Sequence, residues 1–64
     1  MRVRIEDIRR GRPKHATDQS PLITYAKLVE AESGALIINA TLDYILDKVQ
    51  ERGYEVTTLR LRAD

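Results

Sequence analysis

Residues 32–53 read "ESGALIINATLDYILDKVQERG", and two incompatible folds compete for them. Leu42, Ile45, Leu46 and Val49 fall at i, i+3, i+4 and i+7, one stripe of an amphipathic helix. Asn39 or Thr41 can cap its N-terminus, and Asp43 suits the helix dipole in the first turn. Arg52 followed by Gly53 supplies a C-terminal stop. The residues before this helix read two ways. Ala35 and Ile38 continue the three-and-four spacing backwards, so Ser33 can cap one long helix reaching to residue 52. Consecutive Leu36, Ile37 and Ile38 instead suit a strand covered on both faces. Gly34 can take the positive φ of a hairpin turn in front of that strand. Sequence alone leaves 33–40 open between the start of a longer helix and a returning strand.

Working outward, "RVRIEDI" at 2–8 alternates Val3 and Ile5 with Arg2 and Arg4, the period of a half-buried strand. "LITYAKLVEAE" at 22–32 is rich in β-branched and aromatic residues, and reads as a second strand. "YEVTTLRLR" at 54–62 sets Thr57, Leu59 and Leu61 on one face and Thr58, Arg60 and Arg62 on the other. The hairpin reading therefore gives a small α+β domain of order β-β-β-α-β. Its sheet is mostly antiparallel, has three to four strands, and packs on one helix. The expected core is Val3, Ile5, Leu28, Ile38, Leu42, Ile45, Leu46, Val49, Leu59 and Leu61. Residues 1–64 form a single domain with a basic loop at 9–21.

The totals restrict the rest. A chain of 64 residues buries only about 60% of the surface that its unfolded form exposes. With no cysteine there is neither a disulfide nor a thiolate metal site, and with no Phe or Trp the core must come from aliphatic residues and the three tyrosines. Self-association into a homo-oligomer would bury apolar surface that the monomer leaves open. No apolar run approaches a membrane span, and the charged N-terminus is unlike a signal peptide, so a cytoplasmic protein without membrane contact is expected. The net charge is +1, but residues 1–14 carry six basic and two acidic residues, while 15–64 carry five basic and eight acidic. A basic N-terminal segment on a mildly acidic body points to an anionic partner.

Residues 9–14, "RRGRPK", concentrate that charge. Pro13 biases Arg12 toward extended geometry, and Gly11 allows close backbone approach. The "RGRP" core resembles an AT-hook. That resemblance implies an extended segment in the minor groove of AT-rich DNA, with Arg10 and Arg12 reaching into it and Arg9 and Lys14 along the phosphates. Arg2, Arg4, Arg60 and Arg62 would extend this segment as a basic stripe if the first and last strands are neighbours. The same arginines also suit a solvated face that blunts exposed sheet edges.

Catalysis finds no foothold. His15 is the only histidine, the three glycines match no phosphate loop, and neither Ser20 nor Ser33 has a triad context. Asp43, Asp47 and Glu51 succeed one another by helical turns, on a face that is either solvated or a docking surface for a basic partner. No metal, no cofactor and no enzyme activity are expected.

The C-terminal stretch "ATLDYILDKVQERGYEVTTLRLR" resembles the small RNA-polymerase inhibitors of T7-like phages. The shared features are a Thr-Leu-Asp helix start and Gly-aromatic-Glu-Val-Thr leading into an arginine-bearing strand. The resemblance implies a protein-binding inhibitor in which Arg60 touches the polymerase, whereas the family's second arginine position is Thr58 here. The sequence thus predicts a non-enzymatic regulatory module. Its partner is nucleic acid, through Arg2, Arg4, Arg9, Arg10, Gly11, Arg12, Lys14, Arg60 and Arg62. The alternatives are a protein partner, through Arg60, Asp43 and Asp47, and a structural homo-oligomer without ligand.

Overall fold

A computed structural model describes residues 1–13, 15 and 17–63. Strands β1 (Arg2–Gly11), β2 (Ile23–Glu30) and β3 (Ile37–Thr41) are followed by helix α1 (Leu42–Arg52) and strand β4 (Glu55–Leu61). They form one four-stranded mixed sheet of order β3-β2-β1-β4, in an α+β fold. β1–β2 and β2–β3 are antiparallel, while β4 runs parallel to β1. The parallel pair needs a crossover, and α1 supplies it by carrying the chain from one edge of the sheet to the other.

Residues 33–40 resolve as turn and strand rather than as a helix extension. Gly34 has φ 68°, and its N–H donates to the Glu30 carbonyl at 3.0 Å. The Glu30 N–H returns to the Leu36 carbonyl at 3.0 Å and closes the hairpin. The Glu30 carboxylate accepts from the Glu32, Ser33 and Gly34 N–H groups and from the Ser33 hydroxyl, so four donors hold the turn. Of the two candidate caps, Thr41 is the one used: its hydroxyl accepts from the Tyr44 N–H at 3.3 Å. Gly53, with φ 68°, ends the helix in the left-handed conformation that glycine adopts without steric cost.

The core is small. Val3, Ile5, Ala26, Leu28 and Ile45 are buried together, and Ile8, Leu36, Ile38, Ala40, Leu42, Val49, Tyr54 and Val56 pack around them. Three expected core residues lie elsewhere: Leu46, Leu59 and Leu61 are 46%, 66% and 75% exposed. The reason is the position of the helix. α1 packs mainly over β2 and β3; Val3 and Ile5 of β1 are still buried beside it, but the second half of β4, at the sheet edge, has little above it. Alternation in β4 places Leu59 and Leu61 on the correct face, but no element covers them there.

Candidate nucleic-acid interface

The sheet has one face under the helix and one face bare. Ladder partners share a face, so the register locates each side chain. Ile5 pairs with Leu28, and Leu28 with Ile38, on the helix side. Glu6 pairs with Lys27, Arg9 with Tyr25 and Arg4 with Val29, on the bare side. Arg4 also lies beside Thr58 of β4, and Arg2 beside Glu55. The first and last strands are therefore neighbours, and alternation from Thr58 brings Arg60 to the face that carries Arg2 and Arg4.

β1 continues through Gly11, so Arg9, Arg10 and Gly11 belong to a strand paired with Tyr25, Thr24 and Ile23. The loop begins at Arg12, three residues later than the sequence reading of a loop at 9–21. Arg12 Nε donates to the Ser20 carbonyl at 3.4 Å, across a turn that the Ser20 N–H closes on the Thr17 carbonyl at 3.0 Å. The "RGRP" core is thus half strand and half loop, with Arg10 and Arg12 exposed. Lys14 lies outside the described residues.

Several arginines are already engaged. Arg9 Nη1 donates to Asp7 Oδ2 at 3.0 Å, and its guanidinium sits 5.8 Å from the centroid of the Tyr25 ring. Arg62 Nε lies 3.6 Å from Asp7 Oδ1. Arg4 Nε is 2.7 Å from Glu6 Oε1, a charge contact too oblique to be a hydrogen bond. Arg2, Arg10, Arg60 and Lys27 have no carboxylate partner among the described residues.

Asp7 was not singled out by sequence. It has φ 56° where the β1–β2 and β1–β4 registers both shift, so it is the bulge residue of β1. Asp tolerates this conformation better than most residues. The bulge directs its carboxylate to Arg9 and Arg62. Tyr25 and Lys27 were also missed, because a half-buried strand does not announce which of its faces will stay bare. Gly11 has a local role here: a Cβ on it would meet the Tyr25 ring at 3.7 Å, so the ring rests against the backbone.

No protein-family model, curated protein or solved structure matches this chain. The interface must therefore be read from its own chemistry. The bare side gathers Arg2, Arg4, Arg9, Lys27, Arg60 and Arg62 against Glu6, Asp7 and Glu55, an excess of positive charge. Asp43, Asp47 and Glu51 are exposed on α1, away from that face. The result is a thin plate, 39 × 27 × 16 Å, with an excess of basic side chains on its bare face and a mixture of three acidic and two basic residues on its helix.

A second feature lies at the opposite edge. Tyr44, Lys48 and Arg52 succeed one another by helical turns and, with Leu36, Ile38 and Tyr54, line a groove of about 190 Å³. Lys48 Nζ lies 5.4 Å from the centroid of the Tyr44 ring. Lys48 and Arg52 both approach the single Glu51 carboxylate, at 3.5 and 4.0 Å, in solvent-exposed contacts. Among the described residues no group of three His, Asp or Glu side chains is arranged to hold a metal. No described helix is long and apolar enough to cross a membrane.

Proposed function

We propose that this protein is a small non-enzymatic regulatory module that binds the phosphate backbone of nucleic acid across the bare face of its sheet. The observation that carries this reading is the excess of positive charge that the strand register gathers on the bare face of a thin plate. Arg2, Arg60 and Lys27, unpaired among the described residues, are the cations for phosphates. Exposed Arg12 follows just past the end of β1, whereas Arg10, the ladder partner of Thr24, is on the helix side. The Arg9–Tyr25 stack offers a planar surface on which a base of a single strand can lie. An intact AT-hook is a weaker basis, because Arg9 to Gly11 are held in the sheet and cannot lie extended in a minor groove as a free arm.

The decisive experiment is an amide NMR titration with short single-stranded and duplex oligonucleotides at low and physiological salt. Shifts spread over β1, Lys27 and Arg60, weakening with salt, are the expected result. Arg2→Ala with Arg60→Ala should lower the salt slope by roughly one unit for each phosphate that is no longer neutralised. Shifts confined to 9–13 and stronger for AT-rich duplex would return the reading to groove recognition. No shifts at either salt would reject nucleic acid. The second reading is then a protein-binding inhibitor or adaptor, which the exposure of Asp43, Asp47 and Arg60 favours.

A further inference from the structure

β4 is an edge strand, and the helix side of its edge is open. Leu59 lies beside Ile5 and Leu61 beside Ile8 in the β4–β1 ladder, so both leucines continue the face that elsewhere forms the core. Successive residues of an α-helix turn by about 100°, which places Leu46 on one flank of the sheet-facing Ile45 and Tyr44 on the other. Tyr44 and Lys48 face the β3 edge, where they line the groove with Leu36 and Ile38. Leu46 therefore faces the β4 side. Exposed Leu59 and Leu61 with half-buried Ile8 beside them, and exposed Leu46 on the near flank of α1, leave the β4 edge open as an apolar trough. Beside it run backbone N–H and C=O groups with no partner strand among the described residues.

We propose that this trough is an interface between two copies of the chain, in which β4 pairs antiparallel with β4 of the second copy to form an eight-stranded sheet. The order of charges in β4 selects this occupant. Glu55 stands at its start, and Arg60 and Arg62 stand at and just past its end. Antiparallel pairing sets Glu55 of each copy toward the Arg60–Arg62 end of the other, twice over. Parallel pairing would set like charges side by side, which is destabilising. A two-fold axis perpendicular to the sheet relates such strands, and an interface of that kind uses the same patch on both copies. The axis also puts both helices on one side. The two troughs then face each other beneath them, and Leu59 and Leu61 gain the cover that α1 does not give.

The partial cover of the sheet works in the same direction. Leu46, Leu59 and Leu61 are 46%, 66% and 75% exposed, and a second copy would bury them. The proposal does not depend on nucleic-acid binding, although the dimer would join two basic faces into one continuous surface.

Sedimentation equilibrium of the full chain tests it, over a series from micromolar to millimolar. The wild-type chain should pass from monomer to dimer. Leu59→Glu with Leu61→Glu should weaken the dimer by about 30-fold or more, as expected for central interface side chains, with an unchanged far-UV spectrum. The two leucines are exposed in the monomer, so these changes leave folding intact. Charge reversal supplies the second arm. Glu55→Lys and Arg60→Glu should each weaken self-association, and a mixture of the two chains should recover a heterodimer. A wild-type chain that stays monomeric throughout would overturn the proposal. So would a dimer indifferent to Leu59 and Leu61, or a mixture that fails to recover association.

Discussion

Leu59 stands beside Ile5 in the parallel ladder, yet Ile5 is fully buried and Leu59 is 66% exposed. One strand spacing separates a core position from an open one, because the helix covers β2 and β3 and stops short of β4. The two residues should therefore respond differently to truncation. Ile5→Ala removes a buried side chain and leaves a cavity, at a cost of about 2–5 kcal/mol. Leu59→Ala, in dilute solution where the chain is monomeric, should change stability by no more than about 0.5 kcal/mol. Urea unfolding of both variants at low protein concentration checks this. Comparable destabilisation would mean that the helix extends over β4.

Asp7 holds Arg9 and Arg62 through one carboxylate, from a bulge conformation that Asn adopts equally well. Asp7→Asn should keep the bulge and release both guanidinium groups. Under the nucleic-acid reading, affinity for a single strand should rise, and the salt slope should steepen by up to about two units, one for each released cation that reaches a phosphate. Fluorescence anisotropy across a salt series reads both quantities. An unchanged slope would show that neither arginine reaches the backbone.

Thr41 is the residue at which the strand and helix readings of 33–52 part, since its extended backbone and capping hydroxyl end β3 and begin α1. Thr41→Ala should cost about 1 kcal/mol. Thr41→Ser, which keeps the oxygen, should cost clearly less. Equal destabilisation in chemical denaturation would show that the hydroxyl does not cap the helix.

The parts of the fold that were legible in sequence rest on local chemistry. Gly34, Thr41 and Gly53 mark the turn, the cap and the stop, because each one's role is set by its own backbone. The alternation of Val3 and Ile5 gives the strand and its inner face. The exposure of Leu46, Leu59 and Leu61 could not be read locally, since it depends on where α1 lands after crossing the sheet. The bare face was half legible. Arg2, Arg4 and Arg60 stood out as arginines on alternating strands, and the β1–β4 pairing brings them together. Tyr25, Lys27 and Asp7 join them only through strand order and a bulge, neither of which leaves a periodic signal. The basic segment 9–13 looked like a loop because Gly11 and Pro13 break patterns, yet pairing with β2 carries the strand through Gly11.

The hairpin between β2 and β3 should be the acid-sensitive part of the molecule. Glu30 is held at about 2, well below its ordinary 4.5. The Ser33 hydroxyl is the largest cause, followed by the Ser33 and Glu32 N–H groups, all donating to the ionised carboxylate. A carboxyl group with a depressed folded-state pKa binds protons more readily when unfolded. Its contribution to stability is therefore fully present above pH 4.5 and is lost as the pH falls toward 2. Comparing melting temperatures of the wild type and Glu30→Gln between about pH 7 and 2 isolates this effect. The wild type should be the more stable at neutral pH, and the gap should narrow steadily below the ordinary carboxylate range. Ser33→Ala removes the largest cause, so the Glu30 carboxyl carbon should then titrate by NMR closer to 4.5. A gap independent of pH, or a Glu30 that titrates near 4.5 in the wild type, would show that the turn is not held through this charge. Gly34 and the backbone bond from Glu30 to Leu36 would then be what places β3 beside β2.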